Sequence, residues 1–151
     1  MMTKLSLAAA ILGSAVVAGA SARVLAQENP TPHVNVSGTY RVQNVTPSDD
    51  GTVNMDFTAT INNDGEKDLS GKILLRDFSD NDTVWARFGD NAIPAGGNVT
   101  VSGNVTVPKA VYASWTGGTG PPVFLYTQDS RGDLTMVMVP LSRAAATPSG
   151  K

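Results

Sequence analysis

The sequence predicts an all-β protein, a seven-stranded antiparallel β-sandwich, and three observations carry that prediction. From residue 53 to 61, apolar Val53, Met55, Phe57, Ala59 and Ile61 alternate with polar Asn54, Asp56, Thr58 and Thr60. A helix would scatter those five apolar side chains around its circumference, whereas a strand puts them all on one face of a sheet. Val99, Val101, Val105 and Val107 repeat the pattern against Thr100, Ser102, Asn104 and Thr106. Turn chemistry then recurs at short intervals, at Pro47-Ser48-Asp49-Asp50-Gly51, at Asn62-Asn63-Asp64-Gly65 and at Asp80-Asn81-Asp82, as it does in all-β chains. Strands with one wet face imply antiparallel sheets that pack on one side only.

Residues 1–26 read as a signal peptide. Lys4 supplies a positive start, an apolar run follows from Leu5 to Ala18, and Val24 and Ala26 favour cleavage after Ala26, with Ala20-Ser21-Ala22 as an earlier alternative. The run is shorter than the roughly 20 apolar residues of a membrane span, and Gly13, Ser14 and Gly19 weaken it further. No membrane span is therefore expected after cleavage. Residues 27–36, with Pro30 and Pro32 among polar neighbours, read as an extended linker.

The sandwich is expected over residues 37–143. A first strand covers residues 37–46, and the alternating strand follows the Pro47–Gly51 turn. Asn62 to Gly65 breaks the alternation with residues that tolerate positive φ. Leu69, Ile73 and Leu75 mark a third strand, and residues 83–88 a short fourth with Trp85 and Phe88 available for packing. Residues 91–97 read as a loop around Ile93-Pro94-Ala95-Gly96-Gly97. The valine–threonine strand comes next, with Gly103 at an inward position that suggests a close approach. Pro108 ends it. Residues 109–115 read as one irregular or helical turn, and glycines and prolines from Gly117 to Pro122 form a loop. Residues 123–127 and 134–141 are the last two strands, joined by a hairpin at 128–133, and 144–151 is a disordered tail. Seven short strands without a convincing helix fit the immunoglobulin or fibronectin type III kind of sandwich, with a small closed barrel as the alternative.

Composition excludes more than it identifies. The 151 residues include no cysteine, so a lipid-modified cysteine is ruled out and burial alone must hold an exported fold. That combination suits a bacterial envelope. Removing Lys4 and Arg23 takes the formal charge from −2 to −4, and nothing forms the basic stripe that nucleic acid requires.

No constellation of reactive residues stands out. His33, the one histidine, lies in the linker and not where a serine or threonine nucleophile could use it. One histidine without cysteine cannot complete a zinc or copper set, and Met136 and Met138 read as core packing. Asp49, Asp50, Asp64, Asp80, Asn81, Asp82 and Asp90 offer oxygen ligands but lack calcium-loop spacing, and aspartates on turns do not make a facing pair for glycoside hydrolysis. No catalytic residue, metal ligand or cofactor is expected. Tyr112 and Trp115, beside the glycine–proline loop, are candidates for an exposed glycan-binding pair. Arg131-Gly132-Asp133 matches the tripeptide that adhesive modules present from their last hairpin, although it is also ordinary turn chemistry with glycine where positive φ is needed. Asn35, Asn44, Asn81, Asn98 and Asn104 each begin an Asn-x-Ser/Thr triplet, as asparagine and threonine on wet strand faces do by chance.

The string Thr58-Ala59-Thr60-Ile61-Asn62-Asn63-Asp64-Gly65, the strand from Leu69 to Asp77 and Ile93-Pro94-Ala95-Gly96-Gly97 before a valine–threonine strand resemble the middle of bacterial extracytoplasmic immunoglobulin-like domains of the cell-adhesion-related type. The resemblance covers residues 52–107. It implies a binding or spacer module without catalytic residues. The expected function is thus an exported, non-enzymatic binding or structural module whose partner is a protein or glycan at the cell surface. The first alternative is a surface filament or matrix subunit that self-assembles by adding residues 27–36 to a neighbour's sheet. The second is a carbohydrate-binding protein. Periplasmic, secreted and cell-surface locations all remain compatible.

Overall fold

A computed structural model describes residues 34–79, 82–128 and 132–145. Eight strands and a helix follow in order: β1 (Val36–Pro47), β2 (Thr52–Asn63), β3 (Leu69–Asp77), β4 (Thr83–Ile93), β5 (Asn98–Pro108), α1 (Lys109–Thr116), β6 (Val123–Gln128), β7 (Leu134–Met138) and β8 (Leu141–Arg143). The strands form two four-stranded sheets, ordered β5-β2-β1-β8 and β4-β3-β6-β7. One apolar core lies between them, as a sandwich requires and a closed barrel does not.

The alternating strand does what its period dictates. β2 lies between β1 and β5, and Val53, Met55, Phe57, Ala59 and Ile61 are all buried. Ile73 and Leu75 on β3 and Val123 and Leu125 on β6 meet them from the other sheet. Phe57 stacks with Tyr40 and Phe88 at ring-centroid distances of 6.4 and 6.0 Å. Gly103 lies opposite Phe57 on β5, and the Phe88 ring takes up the space over it, where an added Cβ would come within 3.4 Å of Cε1.

Four expectations need correction. Among the described residues there are eight strands, not seven, because residues 134–141 are not one strand. Pro140 has no N–H with which to extend a ladder, and there the chain leaves β7 and crosses to the other sheet. Its carbonyl accepts from the Gly38 N–H at 3.0 Å, and β8 then runs parallel to β1, with Gly38 opposite Leu141. Gly38 must be glycine, since a Cβ would overlap the Thr60 carbonyl oxygen and lie 2.7 Å from Leu141 Cδ2.

Second, β4 continues past Phe88 to Ile93, which is fully buried. Gly89, at φ 73°, and the register shift between Lys72 and Leu74 absorb an irregularity that reads in sequence as a loop. Third, residues 109–116 form an eight-residue α-helix after Pro108. It closes one end of the core by burying Trp115 against Phe57 and Trp85, at 6.3 and 5.8 Å between centroids.

Fourth, Asn63 does not turn the chain through a left-handed backbone. It is the 1% exposed last residue of β2. Its Nδ2 donates to the carbonyls of Lys67 at 2.7 Å and Ile93 at 3.0 Å, and its Oδ1 accepts from Gly65 N–H at 3.0 Å. Its backbone N–H donates to Gly97 and its carbonyl accepts from Gly96. The side chain thereby ties the β2–β3 turn to the end of β4, and the backbone of the same residue holds the β4–β5 loop. Val36 pairs with Asn63, so the sandwich's own first strand takes up the last residue assigned to the linker. The signal peptide and residues 27–33 of the linker lie outside the described residues.

Candidate functional site

The two outer faces of the sandwich differ in kind. On the β5-β2-β1-β8 sheet the outward side chains of β2 and β5 are Asn, Asp, Thr and Ser, and Asn54, Asp56, Thr60, Thr100, Asn104 and Thr106 pair among themselves. Asn44 Nδ2 donates to Asp56 Oδ2 at 2.6 Å and Asn104 Nδ2 to Asp56 Oδ1 at 3.2 Å. Asn54 and Asn104 exchange hydrogen bonds at 2.6 and 2.9 Å, and the Thr60 and Thr100 hydroxyls pair at 2.9 Å. The two amide donors hold the Asp56 carboxyl below its ordinary pKa. This face is built for water.

The β4-β3-β6-β7 sheet carries apolar side chains on its outer face as well, toward β6 and β7, while Lys72, Arg87 and Asp90 stand on that face toward β4. Strands covered on both faces carry continuous apolar runs rather than alternation, and Ile73-Leu74-Leu75 and Val123-Phe124-Leu125 have that character, while Leu134, Met136 and Met138 share the outward parity of β7. Register aligns the outward residues in rows: Leu74, Phe124 and Met138 in one, Lys72, Tyr126 and Met136 in the next, then Gln128 and Leu134. Leu134 is 74% exposed, Met138 61%, Met136 49% and Phe78 45%. No described element lies across them.

An arginine clamp organises one end of this face. Arg76 Nε donates to Asp82 Oδ1 at 2.6 Å, its NH2 forms an ion pair with Asp82 Oδ2, and its NH1 donates to the Tyr126 hydroxyl at 2.6 Å. Asp82 pushes the guanidinium pKa further up, so the charge is permanent. The same guanidinium stacks 4.3 Å over the Phe78 ring, and Phe78 meets Phe124 edge-on at 4.9 Å. An open groove of about 810 Å³ crosses the face between Asp90 and Leu134, floored by Lys72, Leu74 and Tyr126. At Gly71 in its wall β3 and β6 approach so closely that a Cβ would overlap the Tyr126 carbonyl oxygen. A second hollow of about 510 Å³ lies where α1 meets the sheet, lined by Trp85, Val111, Ser114 and Met138.

The residues singled out from sequence do not converge. Trp115 is 3% exposed and belongs to the core, so Tyr112 and Trp115 form no exposed aromatic platform; Tyr112 is half-buried against the core. Gly132 has the positive φ of 85° expected of a turn glycine, Asp133 is exposed, and Arg131 lies outside the described residues. Met136 and Met138 are not core, because Val137 and Val139 take the inward positions of that segment. Among the described residues no group of three His, Cys, Asp or Glu side chains could hold a metal ion. No described helix is long and apolar enough to cross a membrane.

No family model matches this chain, and no curated protein matches it. A solved structure described as the X-ray structure of Northeast Structural Genomics Consortium target SoR45 aligns with 77% of this chain and 88% of its own length, at 13% identity and a TM-score of 0.39.

Proposed function

We propose that this chain is an exported, non-enzymatic binding or structural module with a protein partner, and that it recognises that partner through the outer face of the β4-β3-β6-β7 sheet. The observation that carries the reading is the contrast between the two outer faces. Leu134, Met136, Met138 and Phe78 form a contiguous exposed apolar surface, whereas polar side chains pair among themselves on the opposite face. Contiguous apolar surface of this kind marks interaction sites, and burying each such side chain is worth about 1.5–3 kcal/mol. The clamped Arg76 and the Tyr126 hydroxyl add directional polar groups at its margin, the mixture that interfaces favour.

The strand arrangement supports an immunoglobulin or fibronectin type III-like classification. β1, β2 and β5 lie together in one sheet and β4, β3, β6 and β7 in the other, with β8 as an addition. The resemblance of residues 52–107 to cell-adhesion-related bacterial domains points to the same role, in the periplasm, secreted or at the cell surface. Site-specific photocrosslinking in expressing cells tests the reading. A photoreactive residue at Phe78 is expected to give a discrete protein adduct and one at Thr58, on the polar face, none. Equal adducts at both positions, or none at Phe78, would refute it.

A further inference from the structure

Resting on that reading of the apolar face, we infer that its occupant at the β7 edge is a second copy of this chain, joined by antiparallel pairing of β7 with β7 about a two-fold axis at Met136. β7 ends its sheet, so one side of its backbone is open. Which residues face that side follows from the ladder. Val139 N–H donates to the Val123 carbonyl at 2.9 Å, which places this level at a hydrogen-bonded position of the ladder even though the Val123 N–H turns to the Pro121 carbonyl. Alternation then turns the N–H and C=O groups of Met138, Met136 and Leu134 away from β6. The same three residues carry the exposed apolar side chains.

Two-fold pairing centred on Met136 sets Leu134 against the second copy's Met138 and closes about six N–H···O=C bonds. Leu134, Met136 and Met138 of both copies then form one apolar stripe, continuous with Tyr126 and Phe124 in the next strand. Neither β6 nor β7 contains a charged residue, so no like charges meet across the seam.

The other edges lack this combination. β4 carries Arg87, Asp90 and the Gly89 irregularity, devices that blunt an edge. β8 has three residues. β5 is uncharged, yet its outward Thr100, Ser102, Asn104 and Thr106 are hydrated, so pairing there buries little apolar surface. A two-fold contact is closed. It yields a dimer with one eight-stranded sheet and not a growing filament, and the small seam, on the order of 1,000 Å² or less, makes that dimer a micromolar one.

Light scattering on the protein as expressing cells deliver it, diluted from about 500 to about 1 µM, tests the inference. The mass is expected to rise to twice the monomer and stop, with Met136→Lys raising the dissociation constant at least about tenfold by placing two ammonium groups on the axis. Since the chain has no cysteine, Met136→Cys is expected to oxidise to a disulfide dimer across a hydrogen-bonded pair, and Thr58→Cys to stay monomeric. A monomer throughout, a mass that climbs past the dimer, indifference to Met136→Lys, or equal oxidation of the two cysteine variants would overturn self-pairing. Monomeric protein whose Phe78 probe still captures a different protein would refute self-pairing and leave the apolar recognition face standing.

Discussion

Replacing Asn63 by alanine should destabilise the sandwich more than any other single polar-to-alanine change on β2. The side chain is 1% exposed and makes three hydrogen bonds. Lys67 is exposed, so its carbonyl can turn to water at small cost. The Ile93 carbonyl belongs to a fully buried residue and is left without that donor. Two lost bonds at about 1 kcal/mol each, with a buried acceptor losing this donor at about 1–3 kcal/mol, give a loss of about 3–5 kcal/mol. At a urea m-value of about 1.5 kcal/mol/M the midpoint falls by about 2–3 M. Urea unfolding followed by the fluorescence of Trp85 and Trp115 measures this directly. The neighbouring Asn62, whose side chain reaches only Ser37 Oγ at 3.5 Å, is the control. A loss below about 0.5 kcal/mol for Asn63→Ala, or an equal loss for Asn62→Ala, would refute the pinning role.

Gly38→Val should cost about 2–3 kcal/mol by overpacking and detach β8, exposing the amide of Ala144, which now donates to the Tyr40 carbonyl at 2.8 Å; hydrogen exchange at Ala144 reads the detachment. Val139→Ala, at 2% exposure, should lose about 1.5–3 kcal/mol, whereas Met138→Ala one residue away stays within about 0.5 kcal/mol, as comparison of their unfolding midpoints will show. Acid should weaken the fold in a definite direction. Hydrogen bonds from Thr52 to Asp50, from Asn44 and Asn104 to Asp56, and from Ser79 to Asp77 depress all three carboxyl pKa values. Their contribution is complete above the unfolded pKa of about 3.9 and is lost as pH falls through the lower folded-state values. Thermal unfolding from pH 7 to 2 should show a flat upper range and a falling lower one, with a smaller fall in Asp56→Asn.

The sequence is legible where one face is wet and opaque where both are apolar. β2 alternates between apolar and polar side chains, so period alone identifies its inward face. In Leu134-Thr135-Met136-Val137-Met138 the two parities are Leu-Met-Met and Thr-Val, and the period would favour burying the methionines. The ladder from Val123 to Val139 decides otherwise. The continuous runs Ile73-Leu74-Leu75 and Val123-Phe124-Leu125 are the signal by which the apolar outer face was detectable in advance.

Other features depend on partners distant in sequence. Asn63 reads as a turn residue because Ile93, which it holds, is 30 positions away. The β7–β8 break is announced by Pro140, but nothing local says that the next three residues pair with β1. Trp115 is buried because α1 is placed over Phe57 by the β5–β6 crossover, and a helix of eight residues leaves too short a period to reveal that.

The β4-β3-β6-β7 sheet turns an apolar patch outward along β7, with Met136 and Met138 on it. Methionine oxidation by dilute peroxide, timed by peptide mass spectrometry on dilute folded protein, tests this most directly. Met136 and Met138 should become sulfoxides early while Met55, fully buried on β2, stays reduced until the protein unfolds. Protection of Met136 and Met138 comparable to that of Met55 would contradict the account.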